Sequence, residues 1–147
     1  MKRSNNKTFY IDDIKLGQKF HFNIKYTSKI HKKFKEFSGD HSKIHTDRKF
    51  AINNGFENVI GYAFFLTTHL SNLLGMCFPG GSELCVSQNS KFIKTFYIGD
   101  KLTYVFKIIQ KNHKYKLLTI DLLILNQNNA VILKGDIVLK LSLDENC

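Results

Sequence analysis

Residues 37–65 read FSGDHSKIHTDRKFAINNGFENVIGYAFF, an acid, a histidine and a glycine set between two helical patterns. Asp40 and His45 are five residues apart. At the α-helical repeat that separation turns two side chains about 140° away from each other. On a strand an odd offset sends them to opposite faces. An irregular loop lets them converge, and Ser38-Gly39-Asp40 followed by Ser42-Lys43 has the residue types for one. A carboxylate and an imidazole held together there can divide base and acid roles.

Working outward, residues 18–24 alternate, with Phe20, Phe22 and Ile24 on one face, as in a half-buried strand. Ser28 is placed to N-cap a helix in which Ile30, Phe34 and Phe37 recur at i, i+4 and i+7, and Gly39 sits where a C-cap belongs. Asp47 or Thr46 caps a short helix through Ala51, which Asn53-Asn54-Gly55 ends. From 61 to 74 runs the most apolar helical segment, with Phe64, Phe65, Leu66, Leu70, Leu73 and Leu74 covering more than one face. Such a helix is buried on most sides. After Pro79-Gly80-Gly81, residues 83–93, 102–110, 116–125 and 130–141 read as strands broken by polar turns. One strand, a buried helix and a long antiparallel meander describe an α+β domain whose sheet wraps around a helix.

The chain of 147 residues makes one domain, 1–147, with a short flexible N-terminal tail. Thirteen Phe and six Tyr with no Trp mean that its core is filled by single rings. No apolar run is long enough to span a bilayer, and MKRSNNKTFY lacks the apolar stretch of a signal peptide, so a cytoplasmic protein is expected. Cys77, Cys85 and Cys147 show no CxxC or Cys/His spacing, which argues against a disulfide framework and a structural zinc. A formal charge of +10 favours a polyanionic partner: nucleic acid, an anionic membrane surface, a coenzyme A phosphate or an acidic carrier protein. The lysines are scattered rather than gathered into a run, so charge alone does not choose among them.

The order and spacing of several short motifs resemble the hot-dog fold, and within it the MaoC-like (R)-specific enoyl-CoA hydratases and related 3-hydroxyacyl dehydratases. The motifs are Ile14-Lys15-Leu16-Gly17-Gln18, Phe37-Ser38-Gly39-Asp40 with Ile44-His45, Gly55-Phe56, Val59-Ile60-Gly61, Pro79-Gly80, the strand 86–92 and Phe96-Tyr97-Ile98-Gly99-Asp100-Lys101-Leu102. The resemblance implies an antiparallel sheet wrapped around a long buried central helix, and reversible addition of water across a trans-2-enoyl thioester. Asp40 would polarise or deprotonate the water that attacks C3, and His45 would help hold it and pass a proton toward C2. The backbone N–H of Gly61 would bond the thioester oxygen. Helix starts expose unpaired N–H groups, which gives that last role independent physical sense. A serine on the central helix lies near the site in related hydratases, and His69 or Ser71 stands in that region here. The resemblance further implies no metal or redox cofactor, an acyl-CoA or acyl carrier protein thioester as partner rather than nucleic acid or membrane, and a homodimer at least. Two positions depart from the pattern: the family's Asn-Pro between aspartate and histidine is Ser42-Lys43, and its His-Gly at the helix entrance is Ile60-Gly61.

Simpler roles stand beside these. Asp40 suits a turn after a helix C-cap, and His69, on the side of Phe65 and Leu73, suits a packed, hydrogen-bonded core histidine. His21, His31, His41 and His113 read as surface or turn residues, and Cys77 and Cys85 as core or pocket lining. A hot-dog thioesterase, or a non-catalytic acyl-thioester binding module, would use the same loop. Loss of enoyl absorbance without free thiol marks a hydratase, free thiol marks a thioesterase, and neither marks a binding module.

Overall fold

The computed structural model describes residues 7–81 and 83–141. The N-terminal tail expected from the sequence falls on residues 1–6, and Cys147 on 142–147, both outside the described residues. Strand β1, Lys19–Lys25, alternates half-buried with exposed positions, as Phe20, Phe22 and Ile24 predict. Helix α1, Ser28–Ser38, is capped by Thr27, one residue earlier than expected: its hydroxyl accepts the Ile30 N–H at 3.3 Å. Thr27 has the extended backbone of a cap, whereas Ser28 is already helical. Gly39 closes α1 in the left-handed region at φ 71°, its N–H donating to the Lys35 carbonyl.

The turn between the helices is less irregular than expected. Lys43–Thr46 form a single helical turn, α2, followed by α3, Arg48–Asn53, which Asp47 caps by accepting the Phe50 N–H. Helix α4, Ala63–Met76, buries Phe65, Leu66, Leu70, Leu73 and Leu74. Phe64, expected among apolar residues covering more than one face of a helix buried on most sides, is instead 71% exposed, so the helix buries one side.

The remaining strands are β2 (Glu83–Phe92), β3 (Lys101–Asn112), β4 (Leu117–Leu125) and β5 (Val131–Leu141), in an antiparallel sheet of order β1-β3-β4-β5-β2. Period-two alternation sends Leu118, Ile120, Leu122 and Ile124 of β4 to the inner face, where they join the α4 residues in one core. The sheet is tied to the helix by a polar bond as well, the Tyr104 hydroxyl donating to the Leu66 carbonyl at 3.1 Å. Gly135 of β5 faces β2 so closely that a Cβ there would lie 1.9 Å from the Asn89 carbonyl oxygen, so only glycine admits the pairing. Strand β2 is an edge with Leu84 and Val86 exposed. Cys77 and Cys85 are exposed rather than core residues, though Cys85 lines a small cavity between α4 and β2, as pocket lining was expected to. No helix among the described residues is long and apolar enough to cross a membrane.

Candidate active site

Asp40 follows the left-handed turn at Gly39, and His45 sits on α2, so the chain reverses between them and their side chains meet. His45 Nε2 lies 3.8 Å from Asp40 Oδ2. The surroundings of the two differ: the Asp40 side chain is 45% exposed and that of His45 12%. Asp40 Oδ1 accepts the Ser42 N–H at 3.0 Å. Ser42, through that N–H first and its side chain second, holds the Asp40 carboxyl below the usual carboxylate range. The carboxylate form is thereby favoured.

The tautomer of His45 follows from its partners. Nδ1 lies 2.9 Å from the Ile60 carbonyl, which can only accept, so Nδ1 carries the hydrogen and the neutral ring turns its Nε2 lone pair toward Asp40. The ring stacks on Tyr62 at 4.0 Å between centroids. The Tyr62 hydroxyl donates to the main-chain carbonyl of Asp40 at 2.8 Å.

Below the pair lies a buried polar group of His31, Tyr26 and Tyr62. His31, expected at the surface, is only 8% exposed. Its Nε2–H donates to the His45 carbonyl at 2.9 Å, and its Nδ1 accepts the Tyr26 hydroxyl at 3.0 Å. Burial holds His31 below the usual histidine value and pushes Tyr26 up to about 12, so both keep the neutral forms these bonds require. The Tyr26 oxygen in turn accepts the Tyr62 N–H at 3.3 Å. The signal for His31 was its spacing, three residues before Phe34 and so on the same stripe of α1. Tyr26 and Tyr62 carried no signal, because they meet the loop only in three dimensions.

Gly61 does not play the part expected of it. Its N–H donates to the Phe96 carbonyl at 2.6 Å and is not free for a thioester oxygen. Its lack of a side chain has a packing cause instead: a Cβ would come within 2.3 Å of the Phe96 ring, which is itself packed on Tyr26. Among the described residues, the first-turn amides of α4 with no acceptor are those of Ala63 and Phe64.

His69 and Ser71 line a groove of about 710 Å³ between α1 and α4 with Ile30, Phe34, Phe37 and Phe65, a groove whose lining includes neither Asp40 nor His45. Phe37, expected on the inner face of α1, is 83% exposed at this groove. His69 is packed, stacking on Phe65 at 5.7 Å, and burial lowers its pKa. The hydrogen bond expected of it is absent among the described residues. Phe34 links groove and pair, its ring 5.2 Å from that of Tyr62. The described residues contain no cluster of His, Cys, Asp and Glu that could hold a metal ion.

No protein-family model matches the chain. An (R)-specific enoyl-CoA hydratase of Aeromonas caviae is 26% identical over 128 residues, covering 87% of this chain and 96% of that protein. The solved structure of the (R)-hydratase from A. caviae superposes with a TM-score of 0.81, over 87% of this chain and 97% of that one. A mitochondrial 3-hydroxyacyl-[acyl-carrier-protein] dehydratase of Arabidopsis thaliana is 25% identical over 126 residues, covering 84% of this chain and 75% of that protein. A MaoC-like dehydratase, 14% identical, shares the fold with a TM-score of 0.82, over 94% of this chain and 44% of that one. The fold is the hot-dog fold, as the motifs implied.

Proposed function

We infer that this relative of the (R)-specific enoyl-CoA hydratases is a hydro-lyase, reversibly adding water across a trans-2-enoyl thioester to give an (R)-3-hydroxyacyl thioester. The observation that carries the inference is the 3.8 Å gap between Asp40 Oδ2 and His45 Nε2. It is too long for a direct hydrogen bond and short enough for one water to bond both groups. With the His45 ring in its neutral form both groups accept, so a water between them points both its hydrogens at the protein and its oxygen lone pairs at the substrate. Asp40 takes one proton as that oxygen attacks C3. His45 holds the other hydrogen, and the pair delivers one proton to C2. Water thus contributes OH and H, and both residues end as they began.

Charge gathers on the thioester oxygen during attack. The N-terminal end of α4, with the Ala63 and Phe64 amides free, is the place for it. The groove lined by Phe34, Phe65, His69 and Ser71 would then take the acyl chain, beginning at Tyr62 beside His45. The carrier is coenzyme A or an acyl carrier protein, both anionic and matched to a net charge of +10. A second copy covering the exposed edge at β2 makes the homodimer. Free thiols at Cys77 and Cys85 suit a reducing cytoplasm.

The test is a spectroscopic assay with crotonyl-CoA and a longer trans-2-enoyl-CoA. Loss of enoyl absorbance with no release of free thiol is the expected result. Release of thiol makes the protein a thioesterase, and binding with neither change makes it a carrier module.

A further inference from the structure

The loop between Asp40 and His45 has Ser42-Lys43, with no ring-locked φ and no side-chain amide to stiffen it. Yet both reacting side chains sit on backbone that is held from below through its own carbonyls. Tyr62 grips the Asp40 carbonyl, and His31 grips the His45 carbonyl. His31 is oriented by Tyr26, and Tyr26 is bonded to the Tyr62 main chain, so the two grips belong to one buried network.

Such a network is costly where an apolar core would serve. Buried polar groups add stability only when every partner is satisfied, and here no buried side-chain nitrogen or oxygen among the described residues lacks a partner. An aliphatic residue at 31 would fill the space between Tyr26 and Tyr62 but leave the His45 carbonyl unpaired. What the polar solution adds over an apolar one is the fixed place of that carbonyl and of the ring attached to it.

We propose that His31 is a positioning residue for the hydration chemistry: its ring, oriented by Tyr26, fixes the His45 main chain and with Tyr62 sets the separation between Asp40 and His45. It touches neither water nor thioester. The proposal rests on the hydratase reading for its kinetic consequence but not for its structural one. A displacement of about an ångström in a reacting group costs on the order of a hundredfold in rate, so removing the grip should lower kcat by about tenfold to a hundredfold with KM unchanged.

The experiment uses the full chain with His31→Leu and His31→Gln, measuring kcat and KM for enoyl-thioester hydration and, without substrate, the ¹⁵N signals of the histidine rings. His31→Leu is expected to lose kcat at unchanged KM and to turn the His45 ring from its Nδ1–H tautomer into an averaging mixture. His31→Gln, whose amide N–H reaches the same carbonyl, should recover most of both. A folded His31→Leu protein with parental kcat and parental ring signals overturns the proposal. So does a glutamine variant that behaves like leucine, since shape alone would then be at issue. Where His31→Leu does not fold, Tyr26→Phe decides: an unchanged His45 ring signal and kcat overturn, a broadened signal and a several-fold fall support. Should the parent hydrate no thioester, the hydratase reading fails by itself, and the ring spectra still decide the positioning role.

Discussion

The turn at residues 39–47 and the β3-β4-β5 meander are held together by opposite means. In the meander each strand is laddered to its neighbour along nearly its whole length, and the inward residues Leu118, Ile120, Leu122 and Ile124 share one core with α4. Any one bond is a small part of the total. In the turn, each group that matters has a single holder: Ser42 for the Asp40 carboxylate, Tyr62 for the Asp40 carbonyl, Ile60 for the His45 ring and His31 for the His45 carbonyl. Stability is a distributed property of the first region, and placement is a local property of the second.

That contrast predicts a separation of effects. The largest belongs to the meander: Leu122→Ala, which deletes a fully buried side chain, should cost about 2–5 kcal/mol of stability. Turnover per folded molecule should stay near parental when measured below the unfolding midpoint. A tenfold fall in kcat in that folded population would break the distinction.

Next comes the reverse case. Asp40→Asn and His45→Gln should each lower kcat by on the order of a hundredfold or more, as lost acid-base function does, while denaturation midpoints stay close to parental. Near-parental turnover in both variants would remove the pair from the chemistry.

The smallest effect, of pH, sharpens the contrast. Burial holds His31 below its ordinary value of about 6.5, so below that pH the unfolded chain binds more protons than the folded one. Stability is therefore complete above about 6.5 and falls as the pH drops toward the folded value. His69, also lowered by burial, acts with the same sign. Asp40 acts elsewhere: its contribution is present above the unfolded carboxyl value of about 4 and is lost only as pH falls through the lower folded one. Denaturant melts at pH 7 and pH 5 should show a decline that His31→Gln partly flattens. An unchanged slope in that variant would mean that His31 titrates alike in both states.

Much of this was legible in the chain. The alternation of β1 and β4, the apolar stretch of α4, the left-handed glycine after α1 and the Asp47 cap follow from period, propensity and turn chemistry, all local properties. The pairing of Asp40 with His45 was legible as well, because a five-residue offset brings two side chains together only where the chain turns. Less legible were residues whose roles depend on what lies above them. Phe37 keeps the helical spacing of Ile30 and Phe34 but lines an open groove, and Phe64 lies on an apolar helix yet faces outward.

By itself, then, the sequence determined the elements apart from the single turn of α2, their order, the antiparallel α+β class and the acid-histidine turn, since each is written in residues close together along the chain. Only the tertiary structure decided which polar groups were already engaged. The Gly61 amide met Phe96, and His31 was drawn between Tyr26 and the back of His45. Hydrogen bonds of that kind join residues far apart in sequence, and a donor's partner is settled by whichever acceptor packing leaves within about 3 Å of it.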